Sequence, residues 1–364
     1  MIRICALLVA VGCFTMVPGT SQAAPRPNPK LIKKVTLKWE DQPVVEGIVK
    51  EIEAIGMKIS VDMAALEAEG IEGARDTLEL NSVPLFPALQ RIASLHGMYL
   101  LSNGMEVRIV SHIKGEDGLF NVTYSLKGIQ GALTSEAELA DAIHVTSTID
   151  AGWLNGGTGE GEVLAITPTS ISISQTAIGH DEMVVFFSEV ERALSGRAPT
   201  YFDPRTQLLL KKKFQFASAE MSLEEQVQAL LQGVNFLIDR KSLSDEKIEL
   251  STTSVPPAGT DTVLNHLSAL CAASQLDWYV RDGLLILQSK VDAKNTIELR
   301  AYNVRKHITP ELTPFLMAAK LTNTPELGPW LEQETGGALC TPMGPLLILL
   351  HTRVGHEKIA ELVK

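Results

Sequence analysis

Two histidines occupy matching places late in each half of the chain. Thr176-Ala177-Ile178-Gly179-His180 and Thr352-Arg353-Val354-Gly355-His356 share an offset of 176 residues at both the threonine and the histidine. An imidazole there could ligate a metal or move a proton, and either task needs partners at defined spacing. His356-Glu357-Lys358-Ile359-Ala360 lacks the second histidine of a zinc-binding helix, and the chain contains no Cys-x-x-Cys. The alternative is structural: Thr176 and Thr352 sit near the caps of the final helices, Asp181–Leu194 and Glu357–Val363, and each imidazole is satisfied locally. Asp181 and Glu182 then read as solvated charges favoured by a helix start. The glycines between Gly152 and Gly161 lack the Gly-Lys-Ser/Thr end of a phosphate loop and read as a plain loop. Ser residues give no Gly-x-Ser-x-Gly elbow, and Trp153 and Trp330 read as core anchors. On these residues the sequence assigns no catalytic, cofactor-binding or metal-ligating position, and a non-enzyme is expected.

The elements around these residues must come from folded domains. The 364 residues are 45% hydrophobic and 21% charged, which is ordinary globular usage. Thirty-two Lys+Arg against 43 Asp+Glu give a net charge of −11 with no basic stripe, which argues against nucleic acid. Residues 1–23 have a basic start at Arg3, an apolar run from Ile4 to Val17, and Ser21-Gln22-Ala23 before a cut at Ala24. That is the pattern of a signal peptide, so a periplasmic or secreted protein is expected. Ala10-Val11-Gly12-Cys13 is a loose lipid-attachment pattern, disfavoured by Phe14 and Met16. Loss of Arg3 takes the charge to −12 and leaves Cys271 and Cys340. Cys271 lies in an apolar helical run and reads as a core thiol, with a bridge to Cys340 left open. No later segment is long and apolar enough to span a membrane.

An internal repeat near 177 residues organises the rest. Val35–Trp39 and Lys213–Phe216 alternate as strands, each before a helix striped by Ile48, Val49, Ile52, Ile55 or by Leu223, Val227, Leu230, Leu231. Met57–Asp62 and Asn235–Asp239 read as returning strands, which completes a βαβ unit. Thr77–Leu80 and Lys247–Leu250 open a second strand, and Ser82-Val83-Pro84 and Ser254-Val255-Pro256 lead into helices. Hairpins turning at Asn103-Gly104 and Asp282-Gly283 close these modules. A second module type begins at Tyr124 and Tyr302 and passes Trp153 and Trp330. It then reaches the strands at Ser170–Ile173 and Leu346–Leu349 and the Thr/His segments. The predicted class is α+β, in tandem βαβ-type modules arranged A-B-A′-B′. Boundaries are placed at 24–113, 114–196, 197–292 and 293–364.

The A pattern, Val35 to Val110 and Phe214 to Leu287, resembles the short N-terminal domain shared by secretins and TonB-dependent receptors. The B pattern, with Tyr302-Asn303-Val304-Arg305, Trp330, Leu346–Leu350, Thr352 and His356, is similar to segments accompanying it in secretin-like exported proteins of planctomycete type. The resemblance implies a periplasmic module that binds itself or an envelope or secretion component. The barrel segment of a secretin is not in the sequence, so pore formation is not implied. Two other readings stay open: a small molecule or glycan held in an inter-module cleft with Trp153 or Trp330, and an exported enzyme using His180 or His356.

Overall fold

The computed structural model describes residues 29–363 apart from 103–104, 117, 133–134, 147–159, 198–203, 217–218, 257–258, 328–329 and 331–337. The signal peptide with Cys13, the Asn103-Gly104 turn, Trp153 with Gly152, Gly156, Gly157 and Gly159, and Gly336-Gly337 lie outside the described residues.

The first group of elements is β1 (Lys34–Pro43), α1 (Val44–Ala54), β2 (Lys58–Val61), α2 (Met63–Glu69), β3 (Arg75–Pro84), α3 (Leu85–Leu95), β4 (Met98–Ser102), β5 (Glu106–Ser111) and α4 (His112–Gly115). The expected pairing of β1 with β2 does not form. β1 pairs antiparallel with β3 as a separate ribbon, and β2 runs parallel to β5 in a sheet ordered β2-β5-β4. Ile48 and Ile52 of α1 and Leu89 and Ile92 of α3 are fully buried, as their helical spacing dictates.

The second group is β6 (Phe120–Ser125), α5 (Glu136–Thr146), β7 (Glu162–Thr167), β8 (Ser170–Gln175) and α6 (Ala177–Leu194), with an antiparallel sheet ordered β6-β8-β7. The third is α7 (Pro204–Lys211), β9 (Lys213–Phe214), β10 (Met221–Ser222), α8 (Leu223–Leu230), β11 (Phe236–Ile238), α9 (Arg240–Asp245), β12 (Thr253–Ser254), β13 (Asp261–Thr262), α10 (Val263–Ala273), β14 (Leu276–Arg281), β15 (Leu284–Ser289) and α11 (Lys290–Ala293). Its main sheet is ordered β11-β15-β14, again with one parallel and one antiparallel pair. The fourth is β16 (Glu298–Asn303), α12 (Pro314–Thr322), β17 (Leu339–Met343), β18 (Leu346–His351) and α13 (Arg353–Leu362), ordered β16-β18-β17. The chain is therefore α+β, and the third and fourth groups repeat the main-sheet orders of the first and second.

Two local expectations are corrected. Lys247–Leu250 forms no strand: Lys247 adopts φ +57°, which breaks an extended run, and the short strand there is β12. Pro84 caps α3 directly, whereas α10 starts only at Val263, beyond Pro256.

Sheet backs decide how the groups pack. In the third group, Leu237, Leu284 and Ile286 turn away from their own helices and join the core of the first group. In the fourth, Ala301, Leu346 and Ile348 join the core of the second, lying on α5 and α6. The corresponding first-half positions are Ser60, Glu106 and Arg108, all exposed, and Thr123, Ser170 and Ser172, all partly exposed. Apolar backs are covered and polar backs face water. The molecule is thus two side-by-side stacks, third group on first and fourth on second.

Candidate interaction surfaces

The two histidines are structural clips. Thr176 and Thr352 accept from the backbone N–H of Gly179 (3.1 Å) and Gly355 (3.3 Å), so the helices begin right after the threonines, about a turn earlier than expected. His180 then sits in the first helical turn, with Nε2 2.7 Å from the carbonyl of Phe120 and Nδ1 2.8 Å from the hydroxyl of Tyr124. His356 repeats the arrangement at 2.8 Å from the carbonyl of Glu298 and 3.0 Å from the hydroxyl of Tyr302. A carbonyl can only accept, so Nε2 donates and Nδ1 accepts from the tyrosine, which fixes the neutral tautomer. Burial lowers the pKa of both imidazoles, that of His356 to about 3. Each ring uses both nitrogens to tie the last helix to the first strand of its group.

Trp330 is 1% exposed and meets His351 edge-on with ring centroids 5.0 Å apart. It lies in the core with Tyr302 and Leu347, as a core anchor does. Cys271 is a buried thiol whose pKa is pushed up to about 12 by desolvation. Cys340 is half-buried, and the two are not bridged.

Contacts between groups use charged and aromatic residues far apart in sequence. Asp181, expected in solvent, accepts the Tyr99 hydroxyl of β4, beside an apolar contact of Tyr99 and Val110 with Ile178. At the same place in the second half, Arg353 opens α13. It reaches Asp277 at 2.6 Å and the carbonyl of Trp278 at 2.8 Å, and its guanidinium lies 4.1 Å from the Trp278 ring centroid. Across the first stack, Arg91 of α3 meets Asp282 at 3.1 Å. Across the second, Glu189 and Arg192 of α6 read the outer edge of β16. Arg192 donates to the carbonyl of Ala301 at 2.6 Å, and Glu189 accepts its N–H at 3.3 Å. Arg300 and Glu298, joined at 2.7 Å, complete a nearly buried charge network there.

A cleft of about 700 Å³ opens between the first and third groups, lined by Glu69, His112, Asp239, Lys241, Tyr279 and Asp292 among others. Trp330 does not line it and instead lies buried in the core of the fourth group. Among the described residues, no group of three or more His, Cys, Asp or Glu could hold a metal ion, and no helix is long and apolar enough to cross a membrane.

No family model and no curated protein matches the chain. Solved structures do align. The N-terminal domain of the secretin XcpQ from Pseudomonas aeruginosa is 12% identical over 91% of this chain and 100% of its own, with a TM-score of 0.17. The XcpQN012 structure is 13% identical over 66% of this chain and 97% of its own, also at 0.17. Overlap of that size carries no weight, and the functional reading stands on the surfaces described above.

Proposed function

We propose that this chain is an exported, non-catalytic assembly module of the cell envelope, related to secretin N-terminal domains and built by duplication of a two-part unit. The units would span 24–113, 114–196, 197–292 and 293–364, following cleavage after Ala23. The observation that carries the reading is the outer edge of β16, whose backbone groups at Ala301 are satisfied by Glu189 and Arg192 from another unit. A unit that takes a neighbour along its first strand is suited to take a separate protein in the same way. The histidines that could have served catalysis act as helix clips, which supports a role in binding.

The test is crosslinking and affinity purification of the tagged chain from its own cell envelope, followed by mass spectrometry and N-terminal sequencing. A specific envelope or secretion component, or a homo-oligomer, is expected, with a mature start at Ala24. A partner-free monomer would overturn the assembly reading.

A further inference from the structure

Among the described residues, the outer strands of the three-stranded sheets are guarded, with one exception. Strand β7 carries Glu162 and a bulge between Val163 and Ala165, and β17 contains Pro342 and lies against α5. The outward N–H of Leu100 in β4 is taken by the Gln90 side chain at 3.0 Å, and the outward carbonyl of Trp278 in β14 by Arg353. Strand β2 carries Lys58, and beside β11 the side chain of Asn235 bonds the backbone of Asn81 in β3. The edge of β16 is closed by Glu189 and Arg192.

Strand β6 differs. Phe120-Asn121-Val122-Thr123-Tyr124-Ser125 contains neither a charge nor a proline, and Phe120 is 47% exposed. The ladder register fixes which groups point outward. Leu126 N–H donates to Thr169 C=O at 2.9 Å, so the even-numbered residues bond β8. Asn121, Thr123 and Ser125 therefore turn their N–H and C=O away from the sheet. Thr123 corresponds to Ala301, where the same two groups are the ones that Glu189 and Arg192 satisfy.

We propose that the β6 edge pairs with β6 of a second copy of this chain, antiparallel about a two-fold axis through Thr123. That axis sets Asn121 against Ser125 and Thr123 against its twin, so each outward N–H meets an outward C=O. It brings no like charges together, which a chain of net charge −11 requires of a self-contact. The two three-stranded sheets would merge into one of six strands with a continuous Ser/Thr face. This pairing rests on the assembly reading above and names its partner.

The test uses the full mature chain. Sedimentation and light scattering should give a dimer. Thr123→Pro should make it monomeric with unchanged far-UV circular dichroism, because proline at an edge removes only the outward N–H. Thr123→Cys should form an interchain disulfide under mild oxidant, since facing α-carbons in such a pair lie about 5.5 Å apart. Wild type, carrying only Cys271 and Cys340, is the control and should not crosslink. A wild-type monomer at every concentration overturns the pairing, and envelope capture then decides the assembly reading separately. A dimer that Thr123→Pro retains and Thr123→Cys fails to crosslink also overturns the pairing, while self-association stands.

Discussion

Asn235 treats the backbone of Asn81 as a neighbouring strand would. Its side-chain carbonyl accepts the Asn81 N–H at 2.7 Å and its amide donates to the Asn81 C=O at 3.0 Å, across 154 residues of sequence. The pair clips the third group of elements to the ribbon of the first. Asn235→Ala would leave both backbone groups of Asn81 without that partner in a half-buried place, at a cost of about 1–3 kcal/mol. Asn235→Asp keeps the acceptor and sets a carboxylate oxygen against a carbonyl, so it should cost at least as much. Urea unfolding of the two variants against wild type measures this.

The clip histidines make stability depend on acid. His356 is neutral when folded down to about pH 3, whereas the unfolded imidazole takes a proton near pH 6.5. Between those values the unfolded state binds the extra proton, so stability falls as pH falls. The slope is about 1.4 kcal/mol per pH unit for this one group. His180 and His351 are shifted in the same direction and add to the slope. His356→Gln should be less stable at neutral pH but show a shallower loss on acidification. Denaturant titrations over a pH series read both effects, and an unchanged slope in the variant would contradict a neutral, buried His356 in the folded state.

Arg353 holds the last helix to strand β14 through Asp277, the Trp278 carbonyl and the Trp278 ring. Its side chain is 14% exposed, so removing it strands a largely covered carboxylate. Arg353→Ala should cost about 2–3 kcal/mol, below the cost for a fully buried pair because Asp277 keeps some water. Arg353→Lys keeps the charge but neither the fork nor the flat stacking, and should recover under half of that loss. Thermal unfolding of the two variants separates charge from geometry.

The sheet backs give different predictions for the two halves. Ile348→Ser places a hydroxyl among the buried side chains of α5 and α6 and should destabilise by about 3–4 kcal/mol. Ser172→Ile puts an apolar side chain on the uncovered face of β8 and should change unfolding free energy little while promoting aggregation. Chemical denaturation and size-exclusion chromatography check the pair.

Local chemistry was readable in the residues themselves. The threonine caps, the core role of Trp330 and the Asp282-Gly283 turn, with φ of +54° and +78°, follow from residue type and spacing. Pairing was not. An alternating run such as Val35–Trp39 reports that one face is buried without saying which strand lies beside it, and here that strand is β3. The contrast of Ser60, Glu106 and Arg108 with Leu237, Leu284 and Ile286 was present in the sequence. It acquires meaning only once those positions are known to face away from their own helices. Arg353 drew no notice and Asp181 reads as solvated because their partners, Asp277 and Tyr99, lie 76 and 82 residues away, beyond any helical or hairpin spacing.

The order of groups along the chain is first, second, third, fourth, while the shared cores run first to third and second to fourth. Once either stack closes, the segments of the other are held together at a high effective concentration, on the order of millimolar for a short tether. The two interfaces therefore act as a chelate. Weakening one alone, as with Asn235→Ala, leaves the halves joined through the other. Separating them as two polypeptides would require damage to both stacks at once.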